Sequence, residues 1–264
     1  IVTGAVVRLT ASGLGCPTWP ECVPGSITPT SAQTQGWHKY IEYGNRTLTF
    51  VLVVVAIATI VAGRNGRPIV RRLSWGTLLG IVGQALLGGL TVLTGLHPLV
   101  VAAHFLLSIA LVAVAAVLVW RADDAVSPAA PLPTALRTAI RALTGLGLAV
   151  ITIGTLVTGS GPHAGDSAEI ERLPLDWRMI SWLHADVAIL FIGLALGVVV
   201  ALHSVAAPAA VTTAAHRVVI IAVGQGAIGY VQTFTHLPWV VVTLHVIGAV
   251  ALWAATLRLR LAVA

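Results

Sequence analysis

Charged side chains are scarce in this sequence. Only 9% of its 264 residues are Asp, Glu, Lys or Arg, whereas 57% are hydrophobic. Soluble domains carry roughly 25% charged residues. The mean hydropathy of +0.95 likewise shows that the sequence is strongly apolar. The composition therefore excludes an ordinary soluble domain and indicates an integral membrane protein.

The sequence also lacks a basic patch, although its net charge is +6. Its arginines lie between apolar runs, and no stretch combines basic residues with aromatic ones as single-strand binders do. We therefore expect no nucleic-acid partner and expect membrane lipid to surround the chain.

Seven full apolar runs follow a partial one at 1–9, and each is near the roughly 20 residues that cross a bilayer. They lie at 41–63, 75–96, 99–120, 143–158, 179–202, 218–234 and 240–257. The sequence thus predicts an all-α integral membrane protein of eight transmembrane helices. We expect the first helix to be truncated at Ile1, and no signal peptide, since a basic n-region and a cleavage site are missing.

The distribution of arginines predicts the orientation. The predicted loops at 64–74 and 121–141 are rich in arginine, and further arginines fall on the same side. The positive-inside rule makes that side cytoplasmic. The loops at about 10–40 and 160–178 are richer in acidic residues and are predicted to be extracytoplasmic. We expect a multi-pass protein of the plasma membrane.

The two halves of the sequence resemble each other. Gly-Gln-Ala-Leu-Leu-Gly at 83–88 precedes a histidine, His104, as Gly-Gln-Gly-Ala-Ile-Gly at 224–229 precedes His245. Thr-Ala-Ser-Gly at 10–13 likewise matches Thr-Gly-Ser-Gly at 158–161. Four helices per half make these parallel repeats. We predict two pseudo-symmetric four-helix bundles, at 1–122 and 141–264, joined by a cytoplasmic linker at 123–140.

Three histidines are the main candidates for function, because ionisable groups inside a membrane are costly. His104, His184 and His245 each lie near the predicted outer end of a helix, and Asn45 takes the fourth equivalent place. Two imidazoles across a helical bundle commonly hold a b-type haem. Zinc would need four close ligands, and the second half offers two. Hydrogen bonding to a neighbouring helix is the structural alternative.

Two charged residues are further candidates. Glu42 lies one turn before Asn45, so it is interpreted either as a proton donor or acceptor, or as an interfacial residue paired with Lys39 or Arg46. Arg8, in the first helix, has two interpretations as well: a partner for a haem propionate or carboxylate, and an interfacial anchor.

Both cysteines, Cys16 and Cys22, lie in the first outer loop with two prolines between them. Extracytoplasmic thiols tend to oxidise, and this spacing permits a disulfide. A C-x-x-C motif is missing. A structural crosslink and a redox or substrate-handling role both stay open.

These residues together resemble the heme A synthase family, the membrane enzymes that make the haem of terminal oxidases. The matching segments are Gly-Ala-Val-Val-Arg-Leu-Thr-Ala-Ser-Gly-Leu-Gly-Cys-Pro-Thr-Trp-Pro at 4–20, His-Lys-Tyr-Ile-Glu-Tyr-Gly-Asn-Arg at 38–46, Val-Thr-Gly-Ser-Gly-Pro-His-Ala-Gly-Asp at 157–166, Trp-Leu-His-Ala-Asp at 182–186 and Leu-His at 244–245. The resemblance covers essentially the whole chain. Its second segment looks like an actinobacterial branch of the family, and the cysteine pair like the disulfide of a two-cysteine branch.

The resemblance implies an oxidoreductase that converts haem O to haem A by successive hydroxylation of a porphyrin methyl group to a formyl group. It implies a haem b held between His184 and His245 in the C-terminal half. It places the substrate haem in the N-terminal half, with His104 as an axial ligand of its iron and Glu42 as a required carboxylate. Haem O synthase and a terminal oxidase are the expected partners, the haem sites face the extracytoplasmic side, and the electron donor stays open.

One position departs from the family pattern. Many members have a histidine where this chain has Asn45, and asparagine is a poor ligand for iron. The substrate haem would then be held by His104 on one side only, or by a substitute such as His38 or His97.

Two alternative functions stay open. A b-type electron-transfer cytochrome would need two bis-histidine haems. A haem transporter would place its site near the midplane on broken helices.

Overall fold

The structure, a computed structural model, describes residues 1–123 and 132–263. These residues form eight helices and no named strand: α1 (Val2–Leu9), α2 (His38–Gly63), α3 (Pro68–Leu93), α4 (Pro98–Ala122), α5 (Thr134–Ser160), α6 (Trp177–Ser204), α7 (Ala209–Phe234) and α8 (Trp239–Ala262). Helices α2 to α8 are long and apolar enough to cross a membrane. The predicted all-α, multi-pass membrane protein is confirmed.

Several helices extend beyond their apolar runs. Helix α5 begins at Thr134, whereas the sequence analysis assigned 121–141 to a loop. In its first turns Leu136 and Ile140 are buried while Arg137 and Arg141 are exposed. The arginines mark the solvent face of an amphipathic helix end, with the apolar residues on its inner face. The same correction applies to other arginines assigned to loops, Arg71, Arg72 and Arg121.

The chain divides into two compact units. The first comprises Ile1–Leu118 and Thr155–Trp177, and the second comprises Val119–Gly154 and Arg178–Ala264. Helix α5 contributes to both units. The predicted linker 123–140 includes 124–131, which lie outside the described residues, and its last part, from Thr134, belongs to α5. The predicted boundaries of the halves stay a prediction.

In the first unit, α2 packs against α1 and α3, and two loops are joined by backbone hydrogen bonds. The N–H of Gly13 donates to the carbonyl of Gly165 over 2.7 Å. The N–H of Leu14 donates to Asp166 Oδ2 over 3.1 Å, and Ser12 forms an antiparallel bridge with Asp166. These bonds pin the loop after α1 to the loop after α5.

In the second unit, α7 packs against α8, and a continuous apolar core joins four helices. Its fully buried members are Ile140 and Leu143 of α5, Leu202 of α6, Val218 of α7 and Leu259 of α8. This core lies towards the end of α6 and the beginning of α7, so it fixes that end of the unit.

The turns after α3 and α7 have the same backbone design. After α3, Gly95 and Leu96 have φ of 58° and 61°, and after α7, His236 and Leu237 have φ of 62° and 59°. In both turns the second left-handed residue is a leucine whose N–H donates back to a carbonyl of the helix, from Leu96 to Thr91 and from Leu237 to Gln232. Left-handed residues followed by proline are a standard helix ending, and their recurrence supports the internal repeat.

Gly13→Ala tests the junction between the two loops of the first unit. A Cβ at residue 13 would lie 2.8 Å from the Gly165 carbonyl oxygen and 2.8 Å from Leu96 Cδ1, so one group must move. We expect the free energy of unfolding to fall by about 1–3 kcal/mol, which is measured as a lower thermal unfolding temperature in detergent. Gly4→Ala in α1 is the control, because a Cβ there meets nothing within 4 Å. Equal unfolding temperatures would contradict the assigned role of this junction.

Candidate functional site

The histidines predicted to bind haem b meet in the second unit. His184 lies on α6 and His245 on α8, and their ring centroids are 6.4 Å apart with planes inclined at 70°. The Nδ1 atom of each ring is buried and has no hydrogen-bond partner. A buried polar atom without a partner costs about 1–3 kcal/mol, so this pair favours a bound group that the protein itself does not supply.

The spacing fits one metal ion between the two rings. An imidazole nitrogen binds a transition metal at about 2 Å and lies about 1 Å from its ring centre, so two imidazoles on opposite sides of one ion have centres roughly 6 Å apart. The observed 6.4 Å agrees with that arrangement. In residues 1–123 and 132–263, no group of three or more His, Cys, Asp or Glu can hold a metal. The pair therefore fits a haem, whose porphyrin supplies the other ligands, and does not fit a four-ligand zinc site.

Glycines let neighbouring helices approach the candidate ligands closely. A Cβ at Gly154 of α5 would lie 3.1 Å from His184 Cε1, and one at Gly229 of α7 would lie 3.6 Å from His245 Cε1. Small residues are typical of close helix contacts in membranes. Gly154 was not singled out from the sequence, and its place four residues before the repeated Thr-Gly-Ser-Gly segment was the available signal.

The first unit has a single candidate ligand, His104 on α4. Its Cε1 would lie 3.2 Å from a Cβ at Gly88 of α3, and its Nδ1 is buried without a partner. Gln84 Nε2 donates to the His104 carbonyl over 3.1 Å and to Ser108 Oγ over 2.7 Å. Asn45 is half-buried. Within the described chain, His104 makes no ring contact with another histidine, unlike the pair in the second unit.

Glu42 joins α2 to the disulfide loop. The side chain is buried, and its Oε2 accepts the N–H of Cys16 over 2.6 Å. Its Oε1 accepts from Arg46 Nη2 over 2.6 Å and from Arg46 Nε over 3.1 Å. The predicted pairing with Arg46 is therefore observed, while Lys39 Nζ donates to the Thr30 carbonyl instead. Both carboxylate oxygens of Glu42 are engaged.

The disulfide loop is further held by the same arginine. Cys16 and Cys22 are bonded, with Cα atoms 4.4 Å apart, as the family resemblance implied. Arg46 donates to the carbonyls of Cys16, Thr18 and Glu21. One guanidinium thus fixes three points of the loop and the carboxylate beneath it, a role that the sequence analysis did not foresee.

Arg8 lies at the last turn of α5 rather than on a carboxylate. Its Nη2 donates to the carbonyls of Thr158 and His163 over 2.9 and 2.6 Å, and its Nε is buried without a partner. Arg172 donates to the carbonyls of Thr158 and Gly161. Two guanidinium groups therefore converge on the helix end, with carbonyl dipoles as their partners. Such a pair attracts an anion, which is compatible with the predicted propionate contact.

Two histidines considered as substitute ligands have other partners. His38 Nδ1 is 2.9 Å from Ser12 Oγ, and His97 Nε2 is 3.8 Å from Glu171 Oε2. Neither of these two contacts, from His38 to Ser12 or from His97 to Glu171, involves His104. The geometry supports the one-sided arrangement at His104 better than replacement by either residue.

A family model describing a cytochrome oxidase assembly protein, COX15-CtaA, matches residues 1–257. The chain belongs to the COX15-CtaA family. This confirms the resemblance drawn from the motifs, while the two-cysteine branch stays a prediction.

Curated relatives agree with the family model. A protein of Geobacillus thermodenitrificans named heme A synthase is 32% identical over 107 residues, 39% of this chain and 32% of that protein. A heme A synthase of Bacillus pumilus (strain SAFR-032) is 34% identical over 130 residues, 46% of this chain and 41% of that protein. A third, from Symbiobacterium thermophilum, is 29% identical over 222 residues, 77% of this chain and 69% of that protein. The match to the first two spans less than half of their length.

Gly154→Ala tests whether close helix approach positions His184. The added Cβ would press on the imidazole at 3.1 Å, tighter than ordinary contact, whereas Gly229→Ala brings a Cβ to an ordinary 3.6 Å from His245. We expect Gly154→Ala to lower the haem retained per protein severalfold, and Gly229→Ala to change it little. Haem content is measured by absorbance after purification. Equal retention in both variants would contradict the role given to Gly154.

Proposed function

We propose that this chain is a heme A synthase, which oxidises a methyl substituent of haem O to a formyl group by successive hydroxylation, for terminal oxidase assembly. The observation that carries the proposal is the asymmetry between the two units. One unit has two histidines facing each other across 6.4 Å, whereas in the described part of the other unit no histidine faces His104. Two ligands suit a resident cofactor, and one ligand suits a substrate that must arrive and leave.

The residues of the second unit would hold haem b. His184 and His245 are the ligands proposed for its iron, and the helix backbone at Gly154 and Gly229 limits how far each ring can turn. When bound, the haem b supplies electron transfer. The protein contributes ligation, orientation and an apolar surrounding.

The residues of the first unit would bind haem O. His104 is the proposed axial ligand of the substrate iron, and Gln84, bonded to the His104 carbonyl, steadies the helix at that point. Arg8 is the proposed partner of a propionate, since its buried Nε has no protein acceptor. Glu42 is the proposed carboxylate required by the reaction, held by Arg46 beside the disulfide loop.

The setting follows from the family and the topology. We propose a plasma-membrane location with the haem sites towards the extracytoplasmic face, and haem O synthase and the oxidase as partners. The b-type electron-transfer cytochrome is disfavoured, because among the described residues no second histidine contacts the His104 ring as His245 contacts His184.

Extracted haem identifies the substrate. The full chain is purified from cells with and without haem O supply. Its haems are extracted, separated by chromatography and identified by mass spectrometry. We expect one haem b, with haem O or haem A beside it when haem O is supplied. His184→Ala or His245→Ala should lose haem b, and His104→Ala should keep haem b but stop conversion. Two equivalents of haem b, with no farnesyl or formyl derivative under either condition, would replace this proposal with the electron-transfer cytochrome.

A comparison of Glu42→Gln with Arg46→Lys separates chemistry from loop support. Glutamine keeps an oxygen that can accept the Cys16 N–H, but removes the charge, so we expect haem A formation to fall about 100-fold or more. The disulfide should stay as resistant to mild reductant as in the unchanged protein, measured by thiol alkylation. Arg46→Lys, which loses most of the loop bonds, should expose the disulfide instead. If Glu42→Gln exposes the disulfide as much as Arg46→Lys does, Glu42 has a structural role only.

A further inference from the structure

A second pair of histidines lies in the second unit, where α6 ends and α7 begins. Nε2 of His203 and Nε2 of His216 are 3.5 Å apart. The ring centroids are separated by 5.2 Å, and the ring planes are inclined at 65°. Both side chains are exposed. Neither residue has a place in the proposed haem chemistry.

A backbone contact sets the proton position on one of these rings. His216 Nδ1 lies 2.8 Å from the Thr212 carbonyl oxygen, one helical turn earlier. A carbonyl oxygen only accepts hydrogen bonds, so Nδ1 must carry the hydrogen, and the lone pair of the neutral ring is on Nε2. That lone pair is directed towards His203. A histidine whose other nitrogen donates to a carbonyl is the arrangement found at most protein metal ligands.

The distance between the two Nε2 atoms fits adjacent ligands of a small ion. Two nitrogens bound at about 2.0–2.1 Å to a tetrahedral ion are about 3.4 Å apart, whereas two on opposite sides of one ion are about 4 Å apart. The observed 3.5 Å is close to the tetrahedral value. The centroid separation of 5.2 Å is likewise shorter than the 6.4 Å of the candidate haem ligands. This second pair therefore fits a compact ion and not the two faces of a haem.

The backbone beneath both histidines is held in place by the core. Leu202, next to His203, is 0% exposed, and Ala215, next to His216, is 2% exposed. The connector is short, and the N–H of Ala207 donates back to the Leu202 carbonyl over 3.0 Å. The two imidazoles are thus presented by rigid helix ends, which favours binding because little order has to be gained.

The pair is also distant from the candidate haem ligands. His184 and His203 are on the same helix, and at about 1.5 Å per residue their separation along its axis is roughly 28 Å. An ion bound at one end is therefore independent of a haem at the other.

We propose that His203 and His216 form a two-histidine site for one of the divalent transition-metal ions that accept tetrahedral coordination, such as Zn²⁺. Imidazole suits these ions, and both Nε2 atoms are reachable from the surroundings. No further protein ligand joins them in the described part of the chain, where no group of three or more candidate ligands occurs. Water completes the coordination, and the ion links the end of α6 to the beginning of α7.

Titration of the purified full chain tests the site. The protein carries an affinity tag without histidine, and Zn²⁺ is titrated by calorimetry, with Cu²⁺ followed by electron paramagnetic resonance. We expect one saturable Zn²⁺ site whose affinity falls at least about tenfold in His203→Gln and in His216→Gln. Glutamine keeps the size and polarity of these exposed side chains, so folding is retained, as size-exclusion chromatography would verify. The double variant should bind Zn²⁺ no more tightly than either single variant, because it lacks both rings.

His236→Gln is the matched control, since His236 is an exposed histidine beyond the opposite end of α7. This control variant should bind Zn²⁺ as the unchanged protein does, and its Cu²⁺ spectrum should show two coupled nitrogens. The spectra of His203→Gln and His216→Gln should each show one. Zn²⁺ binding that is equal in all five proteins would overturn the proposal, because the ion then binds elsewhere. A lack of saturable binding in the unchanged protein would also overturn it and leave the rings as a hydrogen-bonded pair.

Discussion

Hydrocarbon offers no hydrogen bonds, and this constraint governs where polar atoms occur in the chain. Each backbone group must find its partner within a helix, and each polar side chain inside a span needs a partner or a bound group. The hydroxyl groups obey this rule by bonding backward along their own helices, as Thr59 does to Val55 and Thr256 to Leu252. The Nδ1 atoms of the three candidate ligands have no such partner. Against this background their buried Nδ1 atoms are meaningful rather than accidental.

The same constraint explains the arrangement of charge in the first unit. Glu42 is buried together with Arg46, and the pair is completed by backbone groups of the disulfide loop. A buried ion pair is stable only when its remaining hydrogen-bonding capacity is met, and here a loop folded by a disulfide supplies those groups. The loop is therefore part of the site that contains Glu42. A role for the carboxylate in chemistry and a role in holding the loop are physically coupled, which is why the effect of Glu42→Gln has to be compared with that of Arg46→Lys.

The helices and the candidate ligands could be predicted from the sequence because both depend on local patterns. Long apolar runs predict spans, and the matched spacing from Gln84 to His104 and from Gln225 to His245 points to equivalent positions. The ends of helices were predicted less well. At α5 the arginines 137 and 141 read as loop residues, whereas burial of Leu136 and Ile140 shows that one face is apolar. Hydropathy averages over both faces of a helix and so misses an amphipathic end.

Contacts between distant segments were beyond the sequence analysis. Nothing in the order of residues pairs Arg8 with the last turn of α5, or Arg46 with three carbonyls of the loop. These contacts join polar groups that have many possible partners, and the choice is made by the packing of whole helices. His203 and His216 belong to the same class, because their meeting depends on a turn whose geometry is not encoded in either residue.

The internal repeat gives Asn45 a meaning that the family comparison alone does not. The alignment that pairs 10–13 with 158–161 also pairs Val6 with Gly154, and Asn45 is the counterpart of His184. In the second unit the glycine leaves room for the imidazole, with a Cβ position only 3.1 Å from its ring. In the first unit the histidine and the glycine are both replaced, by a shorter polar residue and a bulkier apolar one. The first unit therefore lacks both the imidazole and the glycine that leaves room for it at this position. This difference between the two units is compatible with the proposed substrate site, in which His104 is the single protein ligand.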